Sequence, residues 1–155
     1  MIRLVEEDDL QALAIIYKKL YDNLDVNEQW SEESLLELLN YYYKEQKNLF
    51  FVAVSDGKIV GAIMSRIKPW FDGNRLIDTE IFVDSNFQRK SIGKKLLKKH
   101  LKEAQKLYSA KTIEIQTYGE KNSFPRSWYN NIGFYKDKIY VIMNANIKNV
   151  IEKLN

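Results

Sequence analysis

A short apolar run, Ile81-Phe82-Val83, stops at Asp84-Ser85-Asn86, and Gln88-Arg89-Lys90-Ser91-Ile92-Gly93 follows directly. A helical pattern opens at once behind it. A strand, a small basic turn and a helix start are the parts that hold a phosphate. The first backbone N–H groups of a helix have no partner within it, and the helix dipole places positive potential there. Small residues at Ser91 and Gly93 let those amides come close to an anion. Arg89, Lys90 and Lys94 add charge beside them. The chemistry indicated is the binding of a pyrophosphate-bearing cofactor.

The elements that position this turn can be traced outward from it. Residues 91–107 carry Ile92, Leu96, Leu97, Leu101, Ala104 and Leu107 on one stripe, the pattern of an amphipathic helix. Lys95, Lys98, Lys99 and Lys102 form its solvated face. Residues 76–84 are a long strand, preceded by a loop over 68–74. Residues 49–54 and 58–64 are two strands joined across Ser55-Asp56-Gly57, a tight-turn signal. Toward the N-terminus, Leu10, Leu13, Ile16, Tyr17 and Leu20 recur at helical spacing. Ser31 is an N-cap for a second amphipathic helix running to Tyr43. Past the basic helix, residues 112–117 alternate as a strand. Residues 123–131 form a short helix ended by Gly133, and 134–144 close the chain as a hairpin-like pair.

The bulk composition excludes several function classes. A chain of 155 residues suits one domain with a real core. Its 24 Lys and Arg against 21 Asp and Glu leave a net charge of +3, too mild to argue for a nucleic-acid binder. The absence of cysteine removes disulfides, thiolate metal ligands and thiol nucleophiles. The acidic start MIRLVEEDDL is no signal peptide, and no apolar run approaches the roughly 20 residues that span a bilayer. A cytoplasmic protein is expected. His100, the sole histidine, lies well past the phosphate turn, which argues against a dyad or a metal site.

Two motifs in order resemble those of the GNAT superfamily of acetyl-CoA-dependent N-acetyltransferases. That family carries Q/R-x-x-G-x-G/A after its fourth strand, and Gln88 to Gly93 match it with Ser91 in place of the first glycine. Its second signature is an Asn followed, seven residues on, by a Tyr; Asn122 and Tyr129 supply it within a segment that continues Trp128-Tyr129-Asn130-Asn131-Ile132-Gly133-Phe134. The resemblance covers nearly the whole chain. It implies an α+β fold, layered, with a single mixed and mostly antiparallel sheet of about six to seven strands flanked by about four helices. Residues 1–155 would then be a single N-acetyltransferase domain.

The resemblance also implies a site. Acetyl-CoA, as co-substrate, would enter a splayed gap between the strand ending at Val83 and the strand 112–117. Backbone groups of Ile81, Phe82 and Val83 would pair with the pantetheine arm. Gln88, Arg89, Lys90, Ser91, Ile92, Gly93 and Lys94 would hold the pyrophosphate, and Asn122 would reach the pantetheine while capping the short helix. Tyr129 would protonate the departing thiolate, a fit task for a phenol of pKa near 10. An ammonium substrate must first lose a proton, so a carboxylate is needed near the cleft, directly or through water. Many relatives place it where Thr79 stands here; Glu80 is the first candidate and Asp78 the second. Transfer would be direct, without an acyl-enzyme, as the lack of Cys and of any Ser–His pairing suggests, and no metal is required.

The amine itself is open. Asp22, Asp25, Glu28, Glu32, Glu33, Asp72, Asp78 and Glu80 give an acid-rich surround suited to a cationic amine. The layout looks somewhat like the aminoglycoside 6′-N-acetyltransferase branch, and a peptide amine fits equally. Trp70 and Phe71, and less so Trp30, are candidates for lining a substrate cleft. A non-catalytic acyl-CoA-binding regulatory module is the alternative of another class. Neither membrane nor nucleic acid is an expected partner; the oligomeric state is open, and Tyr41, Tyr42, Tyr43 and the final strand would suit a homodimer contact.

Overall fold

In the computed structural model, which describes residues 1–24 and 26–154, the apolar start forms β1 (Ile2–Leu4), and α1 (Leu10–Tyr21) follows a single 3-10 turn. Arg3 and Asp9 join the two elements through paired hydrogen bonds of 2.6 and 2.8 Å. The helix α2 (Glu32–Gln46) starts at Ser31 as expected. Ser31 and Ser34 each accept the other's backbone N–H at 3.1 Å, a reciprocal cap of the kind that contributes about 1 kcal/mol.

Three strands then form a meander: β2 (Phe51–Ser55), β3 (Lys58–Trp70) and β4 (Gly73–Val83). Asp56 and Gly57 both have positive φ, 49° and 72°, so the first turn is the two-residue type that matches strand twist. The second turn is equally short, because Trp70 pairs with Gly73. The loop expected over 68–74 is therefore mostly ladder. Pro69 lacks an N–H but needs none at an exposed strand end. After β4 come a 3-10 turn, α3 (Ile92–Tyr108) and β5 (Thr112–Ile113), which lies parallel to β4. Strand order follows chain order from β1 to β5, antiparallel except for the last pair. One sheet face packs Val52, Ala62, Met64 and Phe82 against α1 and α2. The other carries Leu76 with Leu49 and Ala104 toward α3. Leu107, expected inward, is half exposed.

The described residues divide into two compact units, Met1–Gln116 and Thr117–Asn155. The second holds α4 (Arg126–Asn131) and α5 (Ile147–Leu154). The fold is α+β with a mixed sheet, but it has five strands and five α-helices among the described residues, not six to seven and four. The missing pair is 134–144. Asp137 Oδ1 takes the N–H groups of Ile139 and Tyr140 at 2.7 Å each, closing a side-chain turn instead of a ladder. The apolar run from Ile139 to Met143 stays exposed. The short helix begins at Arg126 and not at 123, because the residue before a proline is pushed away from the helical region and Pro125 stands at its N-cap. No helix among the described residues is long and apolar enough to cross a membrane.

Candidate active site

One edge of β4 is paired with β3 along its length. The other meets β5 only at Arg75–Thr112 and Leu76–Ile113, with a last bond from Glu114 N–H to Leu76 O at 2.8 Å. From Ile77 to Val83 no strand follows on that edge among the described residues. The expected splay is present, and it leaves the main chain of Ile81, Phe82 and Val83 at an open rim. The intervening strand is shorter than expected, since β5 ends at Ile113 and not at 117.

The basic turn continues this rim. Gln88 Nε2 donates to Val83 O at 3.0 Å, so its side chain ties the turn to the strand end and occupies that carbonyl. Arg89 and Ser91 both adopt left-handed φ, 60° and 61°, and α3 starts immediately behind them. Ser91 is its N-cap, with no side-chain cap bond. A glycine would sit there freely, whereas a residue with a Cβ loses on the order of 1 kcal/mol. Lys95 N–H reaches Ser91 O at 3.0 Å; the amides of Ile92, Gly93 and Lys94 precede that first bond and have no helical partner. A Cβ added at Gly93 would find nothing nearer than Val83 Cγ2 at 3.9 Å, so the space beside Gly93 is open. Arg89, Lys90 and Lys94 are exposed and form no ion pair among the described residues. An open strand edge running into free amides and unpaired cations fits an extended, amide-bearing pyrophosphate.

Beside this rim β4 carries a bulge that the sequence pattern conceals. Glu80 pairs with Met64 and Ile77 with Arg66, so Asp78 and Thr79 face the single residue Ser65. Asp78 takes the extra place with φ of 50°. The Tyr42 hydroxyl donates to its carbonyl, and its carboxylate pairs with Arg66 at 3.2 Å. Tyr42 is thus a buried core residue, not part of an exposed surface; Tyr41 stacks on Arg66 instead. Glu80 points to the α1 and α2 side, where Tyr17 donates to its Oε2 at 3.2 Å. Burial pushes the Glu80 carboxyl up to about 7; the Tyr17 hydrogen bond opposes this, and the Glu28 and Asp78 carboxylates reinforce it. Burial and the Glu80 charge raise the Tyr17 hydroxyl well above the ordinary phenol range, so it remains a donor. Glu80 has no cationic partner among the described residues, and Asp78 has one. The sequence offered no sign of Tyr17 or Tyr42 beyond their places on core stripes.

The other aromatics sort differently from expectation. Trp30 packs edge-on against Tyr17 and Tyr21 and donates to Glu28 at 2.9 Å, on the Glu80 side. Trp70 is flanked by Lys68 and Arg75, and Phe71 is 90% exposed. Asp25 lies outside the described residues. On the α3 face a Ser–His pair does exist, contrary to the sequence reading: Ser65 Oγ lies 2.6 Å from His100 Nε2. Both residues are fully buried, so no substrate reaches this serine as a nucleophile. His100 shares a stripe with Leu96 and Ala104, a spacing that marks it as inward-facing.

Tyr129 and Asn122 belong to the second unit and are described within it. Tyr129 is buried on α4, its ring 4.9 Å from Trp128 and 5.3 Å from Phe134. Its carbonyl accepts from Phe134 N–H at 3.0 Å, and Gly133 makes the turn at φ of 102°. Asn122 is exposed in a turn and caps no helix, because α4 begins only after Pro125.

The comparisons with known proteins agree with this geometry. The model of the acetyltransferase (GNAT) family matches residues 10–134. An N-alpha-acetyltransferase of Sulfurisphaera tokodaii is 30% identical over 119 residues, covering 68% of this chain and 71% of that protein. A "possible acetyltransferase" from Clostridium difficile 630 superposes with a TM-score of 0.76 at 19% identity, over 95% of this chain and 97% of that one. A predicted acetyltransferase of Clostridium acetobutylicum, solved with acetyl-CoA, gives 0.71 at 14% identity over 93% and 95%. Glucosamine-6-phosphate N-acetyltransferase of Arabidopsis thaliana gives 0.65 at 17% over 94% and 98%. The chain belongs to the GNAT family of acetyltransferases, whose co-substrate is acetyl-CoA.

Proposed function

We propose that residues 1–155 act as one N-acetyltransferase domain that moves an acetyl group directly to a primary amine of a small cationic molecule or a peptide. The observation that carries this reading is the open edge of β4 running into the free amides of α3. Acetyl-CoA supplies the activated acetyl group as a thioester. The main chain of Ile81 and Phe82 holds its amide-bearing arm, and Gln88 orders the strand end. Ile92, Gly93 and Lys94 offer amides to the pyrophosphate, with Arg89, Lys90 and Ser91 around it. Glu80 takes the proton from the substrate ammonium, a role its raised pKa and lack of a cationic partner support. Tyr129, assigned by its motif position, returns a proton to the leaving thiolate, and Asn122 is assigned to the pantetheine on the same ground. Most of the acceleration comes from orientation.

The acidic residues Glu28, Asp78 and Glu80 support a positively charged amine. The similarity to an N-alpha-acetyltransferase makes a peptide N-terminus as natural a candidate as a polyamine or an aminoglycoside. The deciding experiment is a calorimetric titration with acetyl-CoA followed by a thiol-release assay over these three amine classes. Saturable cofactor binding with turnover on one class is expected. No binding at millimolar acetyl-CoA would remove the reading, and binding without turnover on any amine would favour a regulatory acyl-CoA module. Tyr129→Phe should lower kcat by about tenfold or more while leaving acetyl-CoA affinity within about twofold; an unchanged kcat takes Tyr129 out of the mechanism.

A further inference from the structure

Ser65 on β3, Thr79 on β4 and His100 on α3 are polar groups buried on the α3 face of the sheet, with exposures of 0, 5 and 0%. Ser65 Oγ lies 2.6 Å from His100 Nε2 and 3.1 Å from Thr79 Oγ1. The three side chains form one hydrogen-bonded chain from the middle of α3 to the bulged part of β4. Thr79 directly follows Asp78, the extra left-handed residue, and directly precedes Glu80. On the opposite face the Tyr42 hydroxyl holds the Asp78 carbonyl. The bulge is gripped from both sides of the sheet.

Burying three polar groups costs stability relative to apolar packing unless they satisfy one another. What such a chain adds is a choice between arrangements. A bulge has close competitors in which the extra residue moves one place along the strand, and each shift turns a neighbouring side chain to the other face. Here a shift of the extra place onto Thr79 would aim Asp78 at Ser65 and His100, a buried surround without a cation. A shift past Glu80 would turn Glu80 to that face as well. Only Thr79 presents Ser65 with a neutral hydroxyl. Burial keeps His100 neutral, its pKa pushed down to about 4, so it serves as an uncharged anchor.

We propose that His100, acting through Ser65 and Thr79, is a positioning residue that locks the β4 bulge in one register and thereby aims Glu80 toward Tyr17. The kinetic consequence rests on the acetyl-transfer reading above; the structural consequence does not. The full chain is tested as three variants. Thr79→Val removes one hydroxyl at constant shape, His100→Leu removes the anchor, and His100→Gln keeps a polar group near Nε2. In Thr79→Val and His100→Leu, kcat should fall about tenfold or more with the acetyl-CoA Kd within about twofold. Amide hydrogen exchange at Asp78, Thr79 and Glu80 should quicken by about tenfold or more. His100→Gln should restore both readouts to within about threefold of the parent. Thr79→Val with parental exchange and parental kcat overturns the proposal, and it decides the matter alone if His100→Leu fails to fold. If the parent acetylates no amine, exchange is decisive: faster exchange in Thr79→Val upholds the register lock, unchanged exchange sinks it, and the transfer reading fails separately.

Discussion

Glu80→Gln is expected to cut kcat/KM by about a hundredfold or more and to erase the acidic limb of its pH profile. In the parent enzyme the carboxyl titrates at about 7, so activity should rise with pH and level off above that value. The Tyr17 hydroxyl pulls the pKa down; Tyr17→Phe should therefore move the limb to higher pH. Stability should change in the opposite sense to activity. The fold raises this carboxyl from 4.5 to about 7, which means that it favours the protonated form. That contribution is complete below 4.5, fades as pH rises through this window and is gone above about 7. Gln carries no charge, so Glu80→Gln should melt higher than the parent at pH 8 and match it near pH 4.5. The upper bound on the gain is about 3 kcal/mol. Thermal melts at both pH values beside kcat/KM profiles check this, and a variant with parental activity at pH 7 would discard Glu80 as the base.

Gly93→Val is expected to separate folding from cofactor binding. Gly93 is the second residue of α3, and a Cβ there meets nothing within ordinary contact distance except Val83 Cγ2 at 3.9 Å. Every residue except proline suits a helix better than glycine does, by a few tenths of a kcal/mol for valine. The variant should melt at or slightly above the parent temperature. The same side chain fills the approach to the amides of Ile92, Gly93 and Lys94. A hydrogen bond to a charged group is worth about 1.5–3 kcal/mol, so losing one should raise the acetyl-CoA Kd by roughly ten- to a hundredfold. Isothermal titration beside a thermal melt reads both effects. An unaltered Kd would place the pyrophosphate elsewhere.

Much of the first unit was legible because local rules and tertiary packing agree there. The Ser31 cap, the stripe of α1, the Asp56-Gly57 turn and the junction from Val83 to Gly93 each carry their own signal within a few residues. The bulge does not. An extra residue at Asp78 breaks the two-residue alternation, so Ile77 and Thr79 face opposite sides although spacing puts them together. The network around His100 was hidden for a related reason: a histidine among lysines reads as surface, and only its register with Leu96 and Ala104 reveals burial. Tyr17 and Tyr42 show the converse, since their rings obey the core stripe while their hydroxyls cross to β4 over sequence distances of 63 and 36 residues. Residues 138–143 have a strand-like composition, yet pairing is a property of two segments, and Asp137 satisfies the first amides locally.

The order of the strands bears on where this sheet yields. The β2–β3 and β3–β4 ladders each close over two residues, at Asp56-Gly57 and Phe71-Asp72, so they fix little chain for the contacts they make. The β4–β5 ladder is the reverse: a whole helix must be spanned to gain the pairs Arg75–Thr112 and Leu76–Ile113. Loosening that parallel seam frees a long tether for the loss of a few bonds, while the meander beneath keeps every local pairing. The rim proposed for the cofactor therefore adjoins a seam that spans a long tether for few bonds.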